Sequence, residues 1–113
     1  MSVRTVKHEL EAKLKSSSGG SFSKPSGKLE RKTYDDFGER LKVSLRNLRV
    51  PDNSIAVVTS DDVEIAQIQI HSGTGRIDNE SRDPNAFPQL KAGQNIEVKV
   101  DGAVVLSGEL YVD

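Results

Sequence analysis

The sequence predicts an all-β protein, either an antiparallel β-sandwich or a partly closed barrel of seven to eight strands. Apolar and polar residues alternate along several segments, which is the period of a strand with one buried face. Turn-forming residues separate these segments at intervals of about ten residues, a spacing typical of sandwiches and barrels. No long helical pattern lies between them, so a parallel α/β sheet is not expected.

The first predicted strand covers residues 6–15, where Leu10, Ala12 and Leu14 alternate with charged residues. The same residues also fit a helical stripe, and the surrounding strand patterns favour the strand. His8 is in phase with Leu10, which predicts a partly buried histidine. Residues 16–27 are rich in Ser and Gly and predict a flexible loop.

The middle of the chain predicts further strands. Residues 28–34 are highly charged, which is typical of an edge strand. The continuous apolar run at 55–59 predicts a strand buried on both faces. The remaining expected elements are strands at 41–45, 65–71 and 76–80, loops at 47–53 and 81–93, and a turn at 72–75.

The end of the chain predicts a β-hairpin around Asp101-Gly102. A two-residue loop would leave Leu106 opposite Glu97. A three-residue loop with Gly102 in a G1 bulge would instead pair Val98 with Val104, and would place one apolar set on a single face. That set is Ile96, Val98, Val104, Leu106, Leu110 and Val112. A buried face specifies register, so the bulged loop is expected.

These segments together resemble small bacterial all-β domains of unassigned function. The resemblance extends over most of the chain from Val6 and depends on turns and strands. The matching stretches are Pro25–Lys28, Leu41–Leu45 with Asn47-Leu48, Gly73–Gly75, Phe87–Gly93 and Leu106–Leu110. The resemblance implies an all-β fold and transfers no site residue.

Length and composition set limits on the function. A chain of 113 residues predicts one domain, residues 1–113, which is large enough to bury a core. It has no Cys, which excludes disulfides, thiolate metal sites and a Cys nucleophile. No apolar run approaches the ~20 residues of a membrane span. The first residues lack the apolar region of a secretory signal, which favours the cytoplasm unless a signal has been removed.

Charge is unevenly distributed along the chain. Residues 1–50 contain 12 Lys/Arg and 6 Asp/Glu, whereas residues 51–113 contain 4 and 11. The first interpretation is a dipolar molecule that steers a partner or another copy of itself. The second is that strands of the two halves interleave in the fold, so that the charges mix on the surface. We expect the second arrangement, in which the charges of the two halves mix on the surface.

Candidate ligand-binding residues lie at the turn of residues 72–75, just before it and in the strand and loop that follow it. They are His71, Thr74, Arg76, Asp78, Glu80 and Asp83. The histidine could donate a hydrogen bond from the rim of a sheet, and the acids offer oxygen ligands. Arg82 opposes a cation there, so neither a metal site nor a cofactor is predicted. Gly27-Lys28 does not complete a phosphate loop, since Phe22 replaces the required glycine and Leu29 the hydroxyl residue.

The expected function is therefore that of a non-enzymatic interaction module that forms a homo-oligomer through sheet faces or strand edges. The alternative is a module that binds a carbohydrate or another small ligand. A second alternative is an enzyme with an unrecognised pair of acids. Nucleic-acid binding is not expected, because few aromatic residues accompany the basic ones.

Overall fold

The structure is a computed structural model that describes residues 6–16, 25–34, 38–82, 87 and 89–112. These residues form antiparallel strands, and no helix long and apolar enough to cross a membrane occurs among them. The strands are β1 (Val6–Lys15), β2 (Ser26–Tyr34), β3 (Glu39–Arg46), β4 (Ile55–Ser60), β5 (Val63–Gln69), β6 (Gly75–Ser81), β7 (Asn95–Val100), β8 (Ala103–Glu109) and β9 (Tyr111–Val112). The predicted all-β antiparallel fold is confirmed.

The strands belong to one sheet that is nearly closed into a barrel. Their order is β5-β4-β7-β8-β1-β2-β3-β6, and the short β9 pairs with β1. The two end strands, β5 and β6, contact each other. They are joined by a tight turn in which His71 and Thr74 exchange backbone hydrogen bonds of 2.9 Å. Of the two predicted architectures, the protein therefore adopts the barrel.

The barrel interior is filled by the alternating apolar residues of each strand, because successive side chains of a strand point to opposite faces. In β3, for example, Leu41, Val43 and Leu45 are buried while Lys42 and Ser44 are half-buried on the other face. The buried apolar core consists of Ala12, Leu14, Leu29, Leu41, Val43, Leu45, Leu48, Ala56, Val58, Ile68, Ile70, Ile96, Val98, Val100, Leu106 and Leu110.

Three turns of the same kind connect strands in this barrel. Each has two central residues with positive φ: Asp61-Asp62 at 46° and 68°, Ser72-Gly73 at 50° and 75°, and Asp101-Gly102 at 51° and 79°. Such pairs match type I′ turns, whose twist suits antiparallel hairpins. Asp tolerates this conformation better than most residues, which explains a hairpin turn without glycine at Asp61-Asp62.

The predicted register of the last hairpin is wrong. Val100 pairs with Ala103, so the loop has two residues, and Lys99 pairs with Val104. Val98 then pairs with Leu106, because Val105 is an extra residue that forms a bulge inside β8. The bulge returns Leu106 to the core. Val104 and Val112, both expected on the buried face, are instead 45% and 72% exposed.

Four other predictions are also corrected. β2 is not an edge strand, since it pairs with both β1 and β3. Its outward charges form cross-strand ion pairs, which make a charged strand compatible with an interior position in the sheet. β4 is not buried on both faces, because the barrel covers only the inner one and Ile55 is 45% exposed. His8 is exposed rather than partly buried, and residues 26–27 belong to β2 rather than to the predicted loop.

The interleaving of basic and acidic strands is contradicted by the strand order. β1, β2 and β3 are neighbours, and together they carry nine Lys/Arg and four Asp/Glu. β5, β4, β7 and β8 form the other continuous part of the barrel wall and carry one Lys and three Glu. The chain halves are therefore largely spatial halves, and the charge asymmetry of the sequence becomes an asymmetry of the surface.

Candidate ligand-binding site at the barrel mouth

A cavity of about 380 Å³ opens at one end of the barrel. Four strands and the segment before β7 (residues 89–94) form its wall. The lining residues are His8 and Leu10 of β1, Arg31 and Thr33 of β2, Glu39 of β3, Gln89, Leu90, Lys91 and Ala92 of the segment before β7, and Val112 of β9. The volume is within the range of about 300–1,000 Å³ that small-molecule sites occupy.

A buried ion pair lies in the wall of this cavity. Arg31 Nη2 donates a hydrogen bond of 3.1 Å to Glu39 Oε2, and the two side chains are only 7% and 12% exposed. Both residues are on the inner face of the sheet because they alternate with outward residues, Arg31 in phase with the core residue Leu29. The barrel therefore buries a charged pair at its mouth, where the rest of the interior is apolar.

The guanidinium of Arg31 keeps donors that the described part of the chain does not satisfy. Its Nε and Nη1 atoms are both buried and have no hydrogen-bond partner among the described residues. A buried N–H group without an acceptor costs about 1–3 kcal/mol, and more when it is charged. Such groups are uncommon in folded proteins and each one calls for a physical explanation.

Apolar groups complete the mouth. The ring centroid of Phe87 lies 5.8 Å from the Arg31 Cζ atom, a distance at which the ring's electrons attract the cation. Leu10 and Leu90 are half-buried against the core. The cavity therefore offers a charged donor beside an apolar surface, which is the usual composition of a small-molecule site.

The segment before β7 is held to the barrel by backbone and side-chain hydrogen bonds. Gly93 N–H donates to Leu110 O, and Leu110 N–H donates to Gln94 O. The Gln94 Oε1 atom accepts from Lys91 N–H at 2.9 Å and from Ser60 Oγ at 3.1 Å. This side of the cavity is thus positioned by contacts with β4, through Ser60, and with Leu110 between β8 and β9.

The electrostatic balance of the mouth is slightly positive. Glu39 neutralises Arg31 and is the only acid among the described lining residues, whereas Lys91 adds a positive charge at the exposed rim. The arrangement therefore favours an electron-rich ligand over a cation.

Three of the predicted site residues lie on the outer face of β6. Arg76, Asp78 and Glu80 are alternate residues opposite β3. Asp78 receives a bidentate contact from Arg40, with Nε–Oδ1 at 2.7 Å and Nη2–Oδ2 at 2.6 Å. This hydrogen bonding lowers the pKa of Asp78 below its usual value and raises that of Arg40. The pairing satisfies the Asp78 carboxylate within the protein.

The other predicted residues are separated from these. His71 and Thr74 flank the β5–β6 turn with exposed side chains, and Asp83 lies outside the described residues. The described members of the predicted set do not line the cavity at the barrel mouth. Within the described ranges, no three His, Asp or Glu side chains are grouped so that they could hold a metal ion.

Sequence reasoning did not select the residues of the barrel mouth, although one signal was present. Arg31 occupies a core-phase position of β2, two residues after Leu29. A charged residue at such a position is unusual unless it is paired. Its partner Glu39 begins the next strand, but only the observed register of β2 and β3 brings the two together.

Comparison with known proteins gave no match, either to a protein-family model or to a curated protein.

Proposed function

We propose that this protein is a non-enzymatic binding module whose ligand is a small molecule held in the barrel mouth. The observation that supports the proposal is the cavity of about 380 Å³ at the mouth, whose wall combines the Arg31–Glu39 pair with the apolar side chains of Leu10 and Leu90. A concave site of this volume, mostly apolar with a few polar groups, is typical of small-molecule binding. Barrel mouths are also common places for ligand sites.

A direct test is NMR of the ¹⁵N-labelled chain with a panel of small probes. The panel contains neutral monosaccharides, inorganic phosphate and short-chain carboxylates, each at about 5 mM, which detects dissociation constants near 1 mM. We expect at least one probe to shift the backbone amide signals of His8, Thr33 and Leu90. If no probe shifts these signals, the proposal fails.

A pair of variants assigns the site. Ala92 is exposed and lines the cavity, so Ala92→Trp should block it and abolish the shifts. Ala103 is exposed in the β7–β8 hairpin, next to the two-residue turn, and does not line the cavity. Ala103→Trp is therefore the matched control and should bind normally. Probe binding that Ala92→Trp leaves unchanged would contradict a site at the barrel mouth.

A second candidate function is self-association, which was the first expectation from the sequence. It is favoured by the segregation of charge, because the basic wall formed by β1–β3 is complementary to the more acidic wall of another copy. Near-closure of the barrel leaves little sheet edge for pairing, so charged outer faces are the proposed contact. Sedimentation velocity should then show association at about 20 mM salt that disappears at about 500 mM, as screening predicts. A monomer at both salt concentrations would contradict it.

A further inference from the structure

The outer face of β1, β2, β3 and β6 carries a cluster of cations at the end of the barrel opposite the mouth. The strand register places them in two neighbouring rows that cross the sheet. These side chains point outwards, because they alternate with inward-facing residues of their strands. One row is Lys13–Lys28–Ser44–Arg76 and the other is Lys15–Ser26–Arg46, and together they form what we call the basic patch.

Most cations of the basic patch lack a close carboxylate. Lys13, Lys15 and Arg46 are exposed and form no ion pair within the described part of the chain. Lys28 contacts two glutamates of the next row at 3.1 and 3.2 Å, whereas Arg76 is 63% exposed and lies 3.8 Å from an aspartate. Lys13 is directly opposite Lys28, and like charges in such positions destabilise a sheet. An anionic partner would offset this repulsion.

The segments that adjoin the basic patch in sequence add little negative charge. Residues 17–24, which connect β1 to β2, contain one Lys and no Asp or Glu. The loop after β3 contributes one exposed cation, Arg49, and one acid, Asp52, which accepts a hydrogen bond from Ser72 N–H. The acids at positions 35, 36, 83 and 113 directly follow described residues at the opposite, mouth end of the barrel. The excess of cations in the patch therefore holds for the whole sequence.

A groove of about 360 Å³ lies in the basic patch. The short side chains of Ser26 and Ser44 line it, together with the longer side chains of Lys28, Lys42 and Arg46. Ser26 is opposite Arg46 and Ser44 is opposite Lys28, so short and long side chains alternate between β2 and β3. The groove thus combines hydroxyl groups with cations, which are the groups that contact phosphate oxygens in protein–DNA complexes.

One acid also lines the groove. The Glu30 carboxylate is 3.2 Å from Lys28 Nζ and 3.6 Å from Lys32 Nζ, and Lys42 is its direct neighbour on β3. Its negative charge is therefore balanced by several nearby cations, and it leaves the exposed cations of the patch available to an anion.

We propose that the basic patch binds the phosphate backbone of a nucleic-acid duplex without reading its sequence. The scarcity of aromatic residues argues against base stacking on a single strand, but contacts with a duplex backbone need only cations and hydrogen-bond donors. The two rows contain these groups and no aromatic side chain. Strands about 4.8 Å apart place Lys15 and Arg46 about 10 Å from each other, and a duplex carries one charge per about 1.7 Å of its axis. The patch is therefore wide enough to contact several phosphates.

The test is fluorescence anisotropy of a labelled DNA duplex of about 20 base pairs and mixed sequence, titrated with the full chain. We expect saturable binding with a dissociation constant below about 100 µM at about 50 mM salt. Contacts with three or four phosphates give a slope of log K against log salt of about −2.7 to −3.6. The affinity should therefore fall about 40- to 150-fold between about 50 and 200 mM salt.

Two matched double variants locate the contact. Lys15→Ala with Arg46→Ala removes two exposed cations of the basic patch, so it should weaken binding at least tenfold and make the salt slope shallower by about 2. Lys7→Ala with Lys91→Ala removes the same charge from exposed positions outside the patch, and Lys7 is on the same strand as Lys15. This control should bind like the wild type. All four positions are exposed, so both variants should unfold at the same urea concentration as the wild type.

Several results would overturn the proposal. The patch does not bind a duplex if no saturable binding occurs at about 50 mM salt, or if the two double variants lose affinity equally. A single strand of the same length that binds more tightly than the duplex would show that stacking dominates. A heparin fragment that binds while the duplex does not would assign the surface to a sulfated glycan, and either of these last two results rejects the duplex.

Discussion

The Arg31–Glu39 pair provides a sharp test of the structure, because it predicts strongly non-additive effects on stability. The variants are Arg31→Met, Glu39→Leu and the double substitution. Each single change removes one charge and leaves the other buried, whereas the double change replaces both with apolar side chains of similar volume. The three variants and the wild type form a double-mutant cycle.

The size of the effect follows from burial. The two side chains are 7% and 12% exposed, and a hydrogen bond of 3.1 Å joins them. Breaking a buried pair from one side costs about 3–5 kcal/mol, because an uncompensated charge remains in a poorly solvated place. Replacing both partners is often neutral or stabilising by about 1–4 kcal/mol. We therefore expect each single variant to lose about 3 kcal/mol or more of its free energy of unfolding. The double variant should be within about 1 kcal/mol of the wild type, or more stable than it.

Urea unfolding followed by far-UV circular dichroism measures these differences. A small domain has a slope of about 1–3 kcal/mol/M in urea, so a loss of 3 kcal/mol moves the midpoint by about 1–3 M. A domain of 113 residues has a total stability of roughly 6–17 kcal/mol. A single variant that is already unfolded without urea still agrees with the prediction, provided that the double variant regains the β spectrum.

A more exposed ion pair, between β3 and β6, is the control. Arg40 and Asp78 make a shorter, bidentate contact, but their side chains are 35% and 28% exposed. The cycle Arg40→Met, Asp78→Leu and the double variant should therefore give a coupling energy of no more than about 1 kcal/mol. If the Arg31 and Glu39 variants each cost less than about 1 kcal/mol and their effects add, the pair behaves like a surface ion pair and the argument from burial is refuted.

Three further predictions follow from the described residues. Leu29→Ala removes a fully buried side chain and should lower the free energy of unfolding by about 2–5 kcal/mol, measured by urea unfolding. Val63→Ala changes an exposed site and should alter it by no more than about 0.5 kcal/mol. Equal losses in the two variants would contradict the barrel core. Gly102→Ala should cost about 1 kcal/mol of stability, because φ is +79° although the added carbon meets no other atom. Gly108→Ala should cost considerably more, because its added carbon would collide with a backbone carbonyl of β1. If Gly102→Ala costs more than Gly108→Ala, the placement of β8 beside β1 is wrong. Asp78→Asn should lower stability at pH 7 by up to about 1 kcal/mol. The difference should shrink as the pH falls below about 3.8 towards the lowered pKa of Asp78 in the folded protein, where the wild type also loses its charge; a difference as large at pH 2 as at pH 7 would exclude the ion pair as its cause.

The strands themselves were largely predictable from the sequence, because side-chain alternation is a local property. The alternation at 41–45 and the apolar residues of 95–112 identify strands without knowledge of their neighbours. The turn at Asp101-Gly102 was located correctly for the same reason, although its loop length was not. A bulge inside β8 and a three-residue loop both bring Leu106 to the core face, and the alternation pattern alone does not distinguish them.

The sheet order was not predictable in this way, and the candidate site depends on it. The positions of β2 inside the sheet and of β3 beside it come from pairings between residues that are distant in sequence. The charges of β2 suggested an edge because edge strands also carry charge, and only the cross-strand partners on β1 show why an interior strand tolerates them. The same pairings keep the basic strands β1–β3 together and separate them from the more acidic wall formed by β5, β4, β7 and β8.

By itself the sequence determined the all-β class, the positions of the strands and the excess of basic residues in the first half, because each depends on residues that are close along the chain. Only the tertiary structure decided that the sheet nearly closes into a barrel, that Arg31 meets Glu39 at its mouth and that the basic strands share one wall. These features depend on strand order and register, which are set by burial of the whole apolar set at once. The cavity is therefore a consequence of the barrel's near-closure. The core-phase Arg31 acquires its partner and its cavity only when the barrel brings β1, β2, β3 and the segment before β7 around it.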